Sequence, residues 1–502
     1  MRHTIIALLS LALLTPQVPL AAVGDELPDL GDAGGAVISN NEEYQLGRMI
    51  MRQLRQSGAL LDDPVVDEYV QALGQRLASH AHEGQHKFQF FVVRDPRINA
   101  FALPGGFIGI HHGLVLAAEN ESELASVLAH EVAHVTQKHI ARMIESSGQT
   151  SLMTTAAILA AVIVGGATGA DSDALQAAIT VAQGTAIQSQ INFTRANEYE
   201  ADRVGIDILA SAGFDPRAVG SFFETLSRYN GLAGNRVPDF LQTHPVTSER
   251  IAEARDRAAL LATPDVPPSL EFELIKARLR VANFDLSDEA VEYFEARRPV
   301  KDKHWHEADR YGYAMALLES GRAAEAWKHL EYLLEQRESV TAYHIGLARA
   351  QQAAGDIAFS RKTYERAIEL FPRNVPLTLY FGEHLVQTGD PERAHKLLLD
   401  LVNNVKYTQP QVRLLALAAS AAGDTADAHY YMSEVHVLAG NLPLAVQQLE
   451  LALASPELDG VQRARFAARL DEIRKHLPGK KRRRFEPRED RPDDDSTRSA
   501  RR

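Results

Sequence analysis

Two histidines four residues apart, the first followed by a glutamate, stand at His130, Glu131 and His134 in the segment LASVLAHEVAHV. On a helix, residues four apart share a face, so the two imidazoles point to one side at a spacing that suits a single tetrahedral zinc ion. Such an ion lowers the pKa of a bound water toward neutrality. Glu131 is beside it and can take the water's proton and pass it to a leaving amine. The pattern arises by chance often enough to need support. Its surroundings give that support, because the stretch is apolar enough to be buried, and buried histidines beside a carboxylate must be compensated for the water they lose.

A third protein ligand is required. A metzincin would place glycine at 137 and histidine at 140, where this chain has Gln137 and Ile140. His139, five residues past His134, would lie well round a continuous helix from the metal face and reads as an ordinary polar residue. In TRANEYEADRVG, Glu198 and Asp202 are again four apart, flanked by Ala201, Val204 and Ile208. Glu198 is expected to complete the metal site. Asp202 is expected to accept a hydrogen bond from a ligating imidazole and so fix its tautomer. Glu200 faces another side of that helix and is not expected among the ligands. The chain has no cysteine, which excludes disulfides, a thiol nucleophile and thiolate ligands.

A chain of 502 residues is too long for one hydrophobic core. The net charge of -13 weighs against nucleic acid as a partner. Residues 1–24 have the layout of a secretory signal peptide: Arg2 and His3, an apolar run from Ile5 to Leu14, then Ala21, Ala22 and Gly24 around the expected cleavage point. Without cysteine there is no lipoprotein anchor, and export to a bacterial periplasm is expected, the chain being soluble there or peripheral to the outer membrane. A leader follows over 25–40. Helical periodicity then begins near Asn41 and again at Pro64, FQFFVV (Phe88 to Val93) reads as a strand, and NAFALPGGFIGIHHGLV reads as two strands around a tight turn at Gly105 and Gly106. The helix that carries HEVAH is expected to start near Ser122.

The proline-rich segment 263–269 marks a boundary between a first unit at 41–262 and a second at 270–477. In the second, glycines stand at 321, 355, 389 and 423, each 34 residues after the last. A small residue follows each by five (Ala326, Ser360, Ala394, Ala428) and a large apolar one by nine (Leu330, Tyr364, Leu398, Met432). That period and its glycine turns are the tetratricopeptide pattern, with a degenerate first pair over 270–300 and a closing helix after Gly440. The expected class is therefore mainly α, a metal-binding unit with a small β-element followed by an α-solenoid. Residues 478–502 read as a disordered charged tail.

HEVAH, the spacing of Glu198 to Asp202, and NAFALPGG (Asn99 to Gly106) together resemble the M48 zinc metallopeptidases over about residues 40–260. With the signal peptide and the repeats, the chain is similar to a periplasmic group of that family that serves outer-membrane β-barrel assembly. The resemblance implies a gluzincin fold, one Zn2+ per subunit, and an edge strand at Asn99, Ala100, Phe101, Ala102 and Leu103 that aligns substrate by strand addition. It implies misassembled outer-membrane β-barrel proteins as substrates and the barrel assembly machinery as partner. For His244, in THPVTSER, it implies a movable fourth zinc ligand that holds the enzyme inactive. A transition-state hydrogen-bond donor and a simple loop residue remain alternatives there, and Pro245 favours a loop. Arg250 either stabilises an oxyanion or pairs with an acidic neighbour.

Leu152 to Ala170 is apolar and long enough to span a bilayer. A single crossing there would put the two halves of one metal site on opposite sides of the membrane, so the expected insertion at about 150–190, including Ala174 to Gln190, is a helical hairpin over the cleft or against a membrane surface. The expected activity is a zinc endopeptidase that degrades misassembled barrels and assists assembly. The alternative from another class is an assembly chaperone or scaffold working through the repeats, against which the presence of Glu131 speaks.

Overall fold

The computed structural model describes residues 39–81, 87–146, 195–232, 238–301, 304–456 and 458–477. The signal-peptide, leader, apolar-hairpin and charged-tail readings lie outside those residues.

Helix α1 (Asn40–Gln56) starts at a reciprocal cap in which Ser39 and Glu42 each accept from the other's backbone amide, and it buries Leu46, Ile50, Met51 and Leu54. Helix α2 (Pro64–Ala78) is capped by Asp63, whose carboxylate accepts from the Val65 and Val66 amides. Three strands follow: β1 (Gln89–Val93), β2 (Ala100–Leu103) and β3 (Phe107–His111). Their order is β1-β3-β2, with β1 parallel to β3 and β2 antiparallel to it. Gly105 and Gly106, both at positive φ (79° and 84°), make the β2–β3 turn. β2 is therefore an edge. After a short helix α3 (His112–Ala117) comes α4 (Glu121–Thr136), and the core forms where α2, the sheet and α4 bring together Val66, Val70, Phe90, Ile108, Leu124 and Leu128. The unit is completed by α5 (His139–Ser146), α6 (Arg195–Ser211), α7 (Ala218–Leu232), α8 (Asp239–Thr243) and α9 (Ser248–Ala259).

From Leu270 the chain is a stack of helices: α10 (Leu270–Ala282), α11 (Ser287–Glu295), α12 (Glu307–Glu319), α13 (Ala323–Gln336), α14 (Thr341–Ala353), α15 (Ile357–Leu370), α16 (Val375–Gln387), α17 (Pro391–Asn404), α18 (Gln409–Ala421), α19 (Thr425–Leu438), α20 (Leu442–Ala454) and α21 (Gly460–Lys475). Gly321, Gly355, Gly389 and Gly423 each turn the chain within a pair at φ between 78° and 89°, a region closed to most side chains. Ala326, Ser360 and Ala394 are wholly buried where helices meet, as are Leu330, Tyr364 and Leu398. The fourth copy departs from the expected pattern. Ala428 and Met432 are only half-buried, and Ala426 and Tyr431 are buried instead. Helix α21 docks on α19 through Arg465 on Asp427, Arg469 on Glu434 and Phe466 stacked on Tyr430.

The stack wraps back onto the first helices. Arg278 of α10 is buried and donates to Asp63, to the Tyr311 hydroxyl at 3.1 Å and to the Tyr380 hydroxyl at 2.9 Å, tying the α2 cap to α12 and α16. Further along, Arg48 of α1 donates to the Val437 carbonyl (2.9 Å), and Arg52 to those of Ala439 (3.3 Å) and Gly440 (3.2 Å). Among the described residues, no helix is long and apolar enough to cross a membrane.

Candidate metal centre

Helix α4 begins where Asn120 accepts from the Glu123 amide, and every side chain from Ser122 to Thr136 is buried. His130, Glu131 and His134 thus lie inside the protein, where desolvation makes their partners decisive. Helix α6 crosses directly over them. Gly205 permits the close approach, since a Cβ there would stand 3.1 Å from the backbone of His130. The crossing delivers Glu198 to the same face as the two imidazoles. His130 Nε2 lies 2.9 Å from His134 Nε2 and 3.6 Å from Glu198 Oε2, and His134 Nε2 lies 3.5 Å from Glu198 Oε1.

His244 joins them from another direction. It ends α8, donating its amide to the Phe240 carbonyl at 2.8 Å, and its ring stacks on Phe240 with centroids 4.8 Å apart. The residues after it are non-helical up to α9. Its Nδ1 is 3.1 Å from Glu198 Oε1 and 3.4 Å from His130 Nε2, and its Nε2 is 3.6 Å from Glu131 Oε1. Donor atoms of His130, His134, Glu198 and His244 all lie within 4.8 Å of one another. Ligands around one tetrahedral first-row metal stand about 3.3 Å apart, so the set fits such an ion. The Glu131 carboxylate is wholly buried, with His244 Nε2 3.6 Å away and the Ala102 amide beside it, which suits a group kept for the proton of a reacting molecule.

Behind this set lies a ring of supporting charges. Asp202 Oδ1 is 3.0 Å from His130 Nδ1. Arg250 grips Asp202 with Nε and Nη2, both at 2.7 Å, while Nη1 donates to the Pro245 carbonyl (2.8 Å) and lies 2.9 Å from Glu198 Oε2. Arg250 is thus paired with two acidic neighbours, and its side chain is 2% exposed. Burial disfavours charge on each of these carboxylates. For Glu198 the neighbouring His244, His130 and His134 outweigh burial and hold it well below the usual carboxylate range. For Asp202, His130 and Arg250 do the same. For Glu131 burial wins and raises its pKa, against the opposing influence of His244, His130 and the Ala102 amide.

Sheet edge β2 runs beside α4, with Ala102 next to Glu131. The pairing of Ala100 with Ile110 and Ala102 with Ile108, together with the bond from the His111 amide to the Asn99 carbonyl, sets which groups face outward. Because antiparallel pairs alternate, Ala100 and Ala102 direct their N–H and C=O groups away from β3. Asn99 itself precedes the strand, while Ala100 through Leu103 form it.

Residues 64–258 match the model of peptidase family M48. The whole chain is 34% identical over 481 residues to the beta-barrel assembly-enhancing protease of Escherichia coli (strain K12), covering 94% of this chain and 95% of that one. The chain belongs to peptidase family M48. This M48 peptidase is also 34% identical over 470 residues to the putative beta-barrel assembly-enhancing protease of Vibrio cholerae, covering 93% of this chain and 96% of that one. To the mitochondrial metalloendopeptidase OMA1 of Arabidopsis thaliana it is 28% identical over 239 residues, 47% of this chain and 44% of the other. It is a metalloendopeptidase, and its substrates are proteins.

The M48 site also contains residues that the spacing argument set aside. His139 is not an ordinary polar residue on a continued α4. The helix ends at Thr136, Lys138 takes φ of 50°, and α5 starts in a new direction. His139 is wholly buried, its Nδ1 2.7 Å from His134 Nδ1 and its Nε2 3.1 Å from Glu200 Oε2. Glu200 also accepts from Arg142 at 2.9 Å. A trace of this was present in the sequence as three acidic residues at alternate positions 198, 200 and 202, of which only two had been given a partner.

Proposed function

We propose that this M48 peptidase is a zinc-dependent endopeptidase of the bacterial periplasm that cuts outer-membrane β-barrel proteins caught in failed assembly and assists the assembly of others, engaging the barrel assembly machinery through its repeats. The observation that carries the catalytic part is the convergence of His130, His134, Glu198 and His244 beside a buried Glu131. His130, His134 and Glu198 hold Zn2+. When bound, the ion acidifies the attacking water and polarises the scissile carbonyl. Glu131, its pKa raised by burial, takes the proton of that water and returns it to the leaving amine. Asp202 accepts from His130 Nδ1 and fixes which nitrogen is free for the ion. Arg250 holds Asp202 and balances the buried negative charge.

The outward groups of Ala102, which is partly exposed where Ala100 is fully buried, pair with an extended substrate segment as an added strand. Recognition of that kind reads backbone, which suits unfolded segments of many sequences. His244 stands at the fourth corner of the ligand set, so the enzyme is latent until the segment from His244 to Thr247 moves. The choice of substrate and partner draws on the name of the bacterial relatives, whose length this chain matches almost throughout. The periplasmic location draws on the signal-peptide layout of residues 1–24.

The test is cleavage of casein by the mature chain with its zinc content measured. Activity lost in Glu131→Gln and raised in His244→Ala establishes the latent peptidase. Loss of activity in His244→Ala makes that histidine a participant in catalysis instead, and zinc-loaded protein that cleaves nothing in any form returns the scaffold reading.

A further inference from the structure

The two imidazoles assigned to the metal are both backed on the ring nitrogen that faces away from it, by different chemistry. His130 Nδ1 meets the Asp202 carboxylate at 3.0 Å. His134 Nδ1 meets another imidazole nitrogen, His139 Nδ1, at 2.7 Å. Two ring nitrogens at that distance share one proton, so one donates and the other accepts. His134 turns Nε2 toward His130 Nε2 and Glu198, and a ligating nitrogen carries no proton. The proton of His134 is then on Nδ1 and His139 Nδ1 accepts it. His139 keeps its own proton on Nε2, where Glu200 Oε2 accepts at 3.1 Å, and Glu200 is steadied by Arg142 at 2.9 Å.

We propose that His139, backed by Glu200 and Arg142, is a positioning residue for the metal site that fixes the tautomer and ring orientation of His134. The inference rests on the reading of His134 as a metal ligand. Continued helix would carry residue 139 about 140° round from His134. The break at Lys138 is what sets it behind the ring instead. One helix, α6, then serves three tasks with acidic residues at alternate positions: Glu198 for the metal, Glu200 for His139 and Asp202 for His130. A neutral acceptor behind His134 also has an electrostatic rationale. Glu131, Glu198 and Asp202 are already buried here, with Arg250 as the buried cation that pairs with two of them. A further buried carboxylate would add a desolvation cost. The relay keeps its negative charge on Glu200, whose side chain is 38% exposed, and transmits it through the ring of His139.

The experiment measures zinc affinity of the mature full-length chain by chelator competition, with the melting temperature of the zinc-free protein alongside. His139→Phe keeps a ring but removes the acceptor and is expected to weaken zinc binding about 10- to 100-fold. His139→Asn sets a carbonyl oxygen near the position of Nδ1 and is expected to recover most of that loss. Glu200→Gln is expected to fall between. A role in packing alone would instead lower the melting temperature of the zinc-free protein and leave the Phe and Asn variants alike in affinity, which overturns the proposal. Should His139→Phe fail to fold, wild-type affinity in Glu200→Gln overturns it equally. His134→Ala separates the two readings. If it keeps stoichiometric zinc, the metal-site assignment itself is wrong. If it loses zinc while His139→Phe binds as wild type does, only the relay is wrong.

Discussion

Asp202 Oδ1 lies 3.0 Å from Nδ1 of His130, on the side of the imidazole opposite the nitrogen that faces Glu198. One carboxylate thereby ties His130 on α4 to α6, the helix that carries Glu198.

Replacing Asp202 with asparagine keeps an acceptor but removes the charge, and zinc affinity is expected to fall about 10- to 100-fold. Chelator competition reads this directly, and unchanged affinity would remove Asp202 from the site.

Arg250 makes a sharper case. Its loss in Arg250→Ala leaves the buried Glu198 and Asp202 without their cation, and breaking such a pair costs about 3–5 kcal/mol. Denaturant unfolding of the zinc-free protein should show that loss. An arginine reserved for an oxyanion would lower kcat and leave the unfolding curve where it was.

The edge strand can be tested through one amide. Ala102→Pro deletes an outward N–H while sparing the hydrogen bonds to β3, because proline is tolerated on the free side of an edge. As that N–H also faces Glu131, the loss is read in KM, which a disturbance of Glu131 alone would leave in place. Cleavage of unfolded protein should fall at least about tenfold, and the melting temperature should hold to within about 4 °C, the shift expected for roughly 1 kcal/mol in a large chain. Undiminished cleavage would show that substrate does not add to β2.

Stability should also carry the signature of His111. The ring is 3% exposed, and burial pushes its pKa down to about 4 despite the opposing Asp95. Between an unfolded pKa of about 6.5 and that value, the unfolded chain binds a proton that the folded chain refuses. Stability is therefore lost as pH falls through this window. From pH 7 to pH 5 the linkage amounts to about 2 kcal/mol. Wild type should lose that much more than His111→Gln over the same interval, and equal losses would exclude His111 as the source.

The parts of the molecule that were legible in the sequence are those set by local periodicity. His130, Glu131 and His134 could be placed because a helix turn dictates which residues share a face, and Glu198 with Asp202 could be placed by the same rule on α6. The repeat was legible because glycine at positive φ recurs every 34 residues. His139 was misjudged because the rule was carried past the end of its helix, and nothing in the residue type of Lys138 announces a φ of 50°. Arg250 stayed open because its partner depends on how α9 lies against α6, a tertiary fact. The fourth repeat differs from its expected face, and Arg465, Phe466 and Arg469, which contact α19 there, lie well beyond it in sequence. The grip of Arg278 on Asp63, 215 positions apart, is likewise invisible to any local pattern.

A solenoid usually behaves as a spring, each coil free to open against its neighbours alone. Here the spring is pinned near its start by Arg278, in its middle by Asn374 on Glu68 of α2, and at the turn around Gly440 by Arg48 and Arg52. The last of these ties holds α1, whose buried face shares one hydrophobic cluster with Leu103 at the end of β2 and with Ile140, the residue after His139. One helix, α1, thus links the last coils to the end of β2 and to the residue beside His139.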